Sequence, residues 1–148
     1  KLKMIRYVCV ISVILAGFMA AGVTDEEKKQ MHDYLVSATE SCSKEFGIPS
    51  EDFEKAKRNK ELQSLDPCFV ACILKGNGLI DDKGMFDPAK GTSIAEKFIK
   101  SPDDIAKVKK ISDICSSVND EAVNDGDKGC DRAVLLLKCL MENKSLVV

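Results

Sequence analysis

The chain has 148 residues, 24 acidic against 22 basic side chains, one histidine and a formal charge of −2. An acidic balance without a basic stripe argues against nucleic acid and anionic membrane surfaces as partners. One histidine leaves little material for a Ser-His-Asp system, and the length suits a single domain with a real core.

Residues 1–22 read as a secretory signal. Arg6 gives a short basic region, an apolar run covers 7–18, and Ala20, Ala21 and Gly22 supply small residues before charge begins at Asp25. The run is shorter than the ~18 apolar residues that a membrane span needs. Lys1, Leu2 and Lys3 precede the first methionine and need not be native. A single domain is expected over residues 23–148, secreted and extracellular. Without Lys1, Lys3 and Arg6 its formal charge falls from −2 to −5. Cys9 lies in the signal, leaving an even six cysteines, which in a secreted chain favours three disulfides.

The remaining pattern is helical. Thr24 and Glu27 form a capping box ahead of Met31, Tyr34, Leu35, Ala38, Cys42 and Phe46, which recur at helical spacing up to Gly47. Ser50 caps a short charged helix over 51–60, read as a solvated face. Asp66-Pro67 opens a third helix through Cys68, Phe69, Cys72 and Ile73 to Gly76. Residues 77–86 are a Gly/Asp-rich loop. Asp87-Pro88 and Ser101-Pro102 open two more helices, the second carrying Ile105, Val108, Ile111, Ile114, Cys115 and Val118 on one face. Turn residues fill 124–129. The last helix, from Cys130 to Met141, is apolar on nearly every side and is expected at the centre. No strand pattern or repeat is seen, so the expected fold is all-α, with six helices that cysteine cross-links would staple around an enclosed volume.

The cysteines are the most specific signal. Cys68 and Cys72 lie one turn apart on one helix face. Cys130 and Cys139 are two and a half turns apart, so one helix can be tied to two neighbours. Spacing alone leaves 15 pairings open. The order Cys42-x25-Cys68-x3-Cys72-x42-Cys115-x14-Cys130-x8-Cys139 resembles the six-cysteine insect odorant-binding proteins, with x14 at the long end of that pattern. The resemblance implies the pairs Cys42–Cys72, Cys68–Cys130 and Cys115–Cys139. It also implies a carrier of small hydrophobic molecules, odorants or pheromones, through aqueous lymph to an olfactory receptor, as a monomer or weak homodimer.

Pocket walls are mostly apolar with a few orienting polar groups. The ligand-binding candidates are Tyr34, Leu35, Ala38, Phe69, Ile73, Met85, Phe86, Ile94, Phe98, Ile111, Ile114, Val118, Val134 and Leu137. Tyr34 is the polar handle. Leu146 and Val147, with Val148, form an apolar tail that would fold back as a lid. For each residue plain core packing is the competing reading, because core and cavity faces share one period. Burying about ten methylenes at ~0.8 kcal/mol each gives roughly 8 kcal/mol gross, and hence affinity around micromolar after entropic costs. His32 is the one histidine available for pH-dependent release.

No enzyme is expected, and no cofactor or metal. His32-Asp33 lacks the flanking cysteines and glycine-rich calcium loop of secreted phospholipases. No Cys-x2-Cys offers zinc spacing. Gly84 at position six of a calcium loop would put Leu79 at position one, where an acid is needed. Asn143-Lys144-Ser145 is a glycosylation sequon, expected to stay unmodified beside the lid. Two further readings stay open: a lipophile carrier outside olfaction, in saliva, haemolymph or reproductive fluid, and a secreted protein-binding module with a filled interior.

Overall fold

The computed structural model describes residues 23–59 and 61–146, without the side chains of Leu35 and Lys57. Residues 1–22, read above as a secretory signal and including Cys9, together with Val147, Val148 and the Leu35 side chain, therefore lie outside the described residues. The described residues form six α-helices: α1 Asp25–Phe46, α2 Ser50–Asn59, α3 Pro67–Gly76, α4 Pro88–Phe98, α5 Pro102–Cys115 and α6 Cys130–Asn143. The protein is all-α. Among these residues the β pairing is a lone antiparallel bridge between Ile80 and Phe86.

The helix ends follow from local chemistry. At α1 the Glu27 backbone N–H donates to Thr24 Oγ1 (3.2 Å), while the Thr24 N–H and hydroxyl both donate to Glu27 Oε2 (2.8 Å each). Gly47 closes the helix at φ +65°, a left-handed conformation that a side chain would strain. Asp66, Asp87 and Ser101 cap α3, α4 and α5, each followed by a proline whose missing N–H costs nothing in the first turn. Helix α6 is capped from a distance: Asp125 Oδ2 accepts the N–H groups of Cys130 and Asp131 across a 3-10 turn. The stretch after Cys115 tightens into a 3-10 turn, Ser116–Asp120, so Val118 lies beyond α5.

Helix α6 packs against α3 on one side and α5 on another, and α4 folds back on α5 as a helical hairpin. Ala133 and Leu136 of α6 are fully buried in the main core, with Val70, Ala71, Ile80 and Cys115. A smaller core centres on Phe69, whose ring meets Phe46 and Phe53 edge-on at centroid distances of 6.0 and 6.2 Å. Disulfides join Cys42 to Cys72, Cys68 to Cys130 and Cys115 to Cys139. They tie α1 to α3, α3 to α6 and α5 to α6. The loops they close span 30, 62 and 24 residues, each worth about 3–4 kcal/mol on chain-entropy grounds before overlap.

Candidate functional site: two adjoining apolar cavities

Two cavities meet inside the bundle. The first, about 370 Å³, lies between α4 and α5 and is closed by Met31 of α1, Leu79 and Phe86 of the 77–86 loop, and Leu140 of α6. Ile94, Ala95, Val108 and Ile111 form its aliphatic walls. The second, about 290 Å³, lies between α1, α2, α3 and α6, with Phe53, Leu65, Val70, Ile73, Leu74 and Leu137 in its wall. Leu79 and Leu140 belong to both and form the partition between them. The two differ in polarity. His32, Thr39, Glu54 and Asn77 give the second cavity a polar end, where His32 Nε2 stands 4.0 Å from Glu54 Oε1. In the first, the polar side chains among the lining residues are Ser112 and Lys144.

A larger hollow of about 810 Å³ opens on the surface between α1 and α3. Glu45, Lys75 and Lys128 lie along it with two disulfides. It is more open to water than the cavity pair and carries charged groups, so the more apolar pair suits an apolar guest better.

The loop that supplies Leu79 and Phe86 is held by side-chain to backbone bonds. Asn119 donates through Nδ2 to the Phe86 carbonyl and accepts the Phe86 N–H at Oδ1, both at 2.9 Å. Asp81 Oδ1 accepts the N–H groups of Lys83 and Met85. At the other end of the α4–α5 hairpin, Glu27 Oε1 accepts the Lys100 N–H at 2.9 Å, fastening the start of α1 to the corner. The Thr24 and Lys100 backbone N–H groups hold the Glu27 carboxyl below its usual range. Asp104, buried in the first turn of α5, is held low by the Lys107 ammonium at 2.7 Å.

Of the residues expected to meet ligand, Phe86, Ile94 and Ile111 line the first cavity and Ile73 and Leu137 the second. The other described candidates lie elsewhere. Phe69 is packed in the aromatic core and Val118 in the main core. Ile114 is 40% exposed. The Tyr34 ring leans on Phe98 at 5.4 Å with the Lys97 ammonium 5.8 Å from its centre, outside both cavities. Ala38 lies on the surface groove, against Gly76, where an added Cβ would come within 3.0 Å of the Ala38 methyl. Met85 and Val134 are half-buried and line neither cavity. Leu146, in a 3-10 turn after α6, packs against the main core, and Lys144 of the same turn lines the first cavity.

Several wall residues were outside the candidate set. Met31 and Val108 stand on the apolar faces of α1 and α5 at the expected helical period, which does not say which members of a face meet empty space. Leu79 sits in a loop, where no period applies. Among the described residues no helix is long and apolar enough to cross a membrane, and no cluster of three or more His, Cys, Asp or Glu is placed to hold a metal ion.

The sequence matches the PBP/GOBP family over residues 24–143. It is 28% identical over 115 residues to the general odorant-binding protein 28a of Drosophila melanogaster, covering 75% of this chain and 78% of that protein. The solved structure of that odorant-binding protein superposes with a TM-score of 0.60 at 24% identity, over 82% of this chain and 99% of the other. The described helices, the three cross-links and the match over residues 24–143 agree: the chain belongs to the PBP/GOBP family.

Proposed function

We propose that the protein is a secreted carrier that takes up small hydrophobic molecules in the paired cavities and releases them to an olfactory receptor across an aqueous fluid. The observation that carries this reading is the pair of adjoining apolar cavities inside a cross-linked helical bundle. Apolar surface exchanged from water into such a space drives binding without any charged contact. The PBP/GOBP membership and the odorant-binding relative support the same ligand class.

The turn at Lys144–Leu146 touches α5 and α6, at the rim of the first cavity. In this reading it closes the mouth. Deleting residues 146–148 is expected to weaken ligand binding several-fold, and unchanged affinity would remove the turn from the account.

The test is displacement of a fluorescent hydrophobic probe from the oxidised domain by medium-chain alcohols, aldehydes, esters and terpenes. Saturable, roughly micromolar binding that is lost on disulfide reduction is expected. A folded sample that binds no probe would instead favour a protein partner.

A further inference from the structure

We propose that Ser112 is the recognition group of the α4–α5 cavity, selecting neutral lipophiles that carry one hydroxyl or carbonyl oxygen. The inference rests on the carrier reading and names the ligand chemistry of that site. Ser112 is 4% exposed and lines the first cavity. Serines in or just after helices usually satisfy their hydroxyls on a carbonyl one turn back. Ser37, Ser116 and Ser117 do so here, at 3.1, 2.7 and 3.0 Å. Ser112 does not: no hydrogen bond to a described residue engages its hydroxyl.

Among the described residues the fully buried side-chain atoms without a partner are Asp125 Oδ1 and Arg132 Nε, so the Ser112 hydroxyl keeps access to the cavity, where water or a guest can supply its bond. The wall opposite leaves room for a guest to do so. At Gly91 a Cβ would stand 3.0 Å from Ser112 Oγ and 3.6 Å from Leu79 Cδ2, so the absent side chain keeps the hydroxyl uncovered. A hydroxyl both donates and accepts, so it serves an alcohol or a carbonyl equally. A carboxylate is disfavoured, because it would lose its hydration with no buried cation in the cavity wall; Lys144 is exposed.

The experiment displaces a fluorescent naphthylamine probe with octan-1-ol, octan-2-one, n-octane and octanoate from the wild type, Ser112→Ala and Gly91→Ala. Ser112→Ala is expected to lower the affinities for the alcohol and the ketone about 3- to 10-fold relative to its effect on octane. Its thermal midpoint should not fall, since the hydroxyl has no internal partner to lose. Gly91→Ala covers the hydroxyl without removing it and should shift the same ratio in the same direction, so the test survives if either variant folds poorly. Equal changes for oxygenated and hydrocarbon ligands, with the probe still bound, would overturn the role of Ser112 alone. Absence of probe binding to the wild type would overturn both this role and the carrier reading.

Discussion

The α3–α6 half of the bundle and the α4–α5 hairpin are built on different principles. Helices α3 and α6 carry four of the six bonded cysteines, and each is tied to two partners or to each other. Between them lie Ala133 and Leu136, without exposure, beside Val70 and Ala71, which also border the second cavity and the surface hollow. Helix α4 carries no cysteine. It is held by packing on α5 and α1, and the space between α4 and α5 is where the more uniformly apolar cavity lies. Covalent ties thus concentrate on α3 and α6 and reach α5 through Cys115, while α4 is held by packing alone; the second cavity borders the tied helices and the first borders the untied one. A domain organised this way can retain its fold while one wall adjusts to guests of different shape.

That contrast can be broken most strongly by reduction. Opening all three disulfides removes several times 3 kcal/mol of cross-link stabilisation, comparable with the whole stability of a small domain. The reduced protein is expected to lose its cooperative thermal transition and its helical circular dichroism. A reduced protein with a native transition would mean that packing alone holds the bundle.

Core truncations sharpen the comparison. Leu136→Ala, in the densely packed half, is expected to cost about 4 kcal/mol by urea denaturation. Ile94→Ala, on the cavity wall, should cost about 2 kcal/mol, because its side chain already faces unfilled space. Equal costs would argue that the two halves are packed alike. Asn119→Ala should cost about 1–3 kcal/mol, by leaving the Phe86 backbone groups without partners. It should also weaken ligand binding, since Phe86 closes the α4–α5 cavity.

The smallest expected effect is on pH. Glu27 and Asp104, both at the α4–α5 corner, have carboxyls held below their ordinary range by hydrogen bonds made only in the folded state. A depressed carboxylate contributes stability that is full above its unfolded value and lost as pH falls through its folded value. Amide protection factors, which correct for the slow intrinsic exchange in acid, should therefore fall in α4 and the first turn of α5 below about pH 4 before they fall in α3 and α6. Simultaneous loss of protection in all four helices would show that the corner is not the acid-sensitive element.

The sequence made the fold legible because each helix boundary carries its own local signal. Thr24 with Glu27, and the prolines at 67, 88 and 102, mark starts that need no tertiary information. Helix α6 shows where this stops: its cap is Asp125, reached across a tight turn rather than from the preceding residue. The site was legible only in part, for the same physical reason. Phe69 and Ile73 share the apolar face of α3, yet one is enclosed by aromatic rings and the other meets a cavity. That difference arises from which neighbours lean over each residue, and the period of a single helix does not carry it. Leu79 depends on a loop path, and the accessibility of the Ser112 hydroxyl depends on Gly91 across the α4–α5 contact.

Occupancy of the α4–α5 cavity by a hydrophobic guest can be read from methyl-labelled NMR of the oxidised protein saturated with octan-1-ol. Ligand-to-protein NOEs to the methyls of Leu79, Ile94, Val108 and Ile111 are expected. NOEs confined to exposed groups such as Ile114, with the cavity methyls unperturbed, would contradict it.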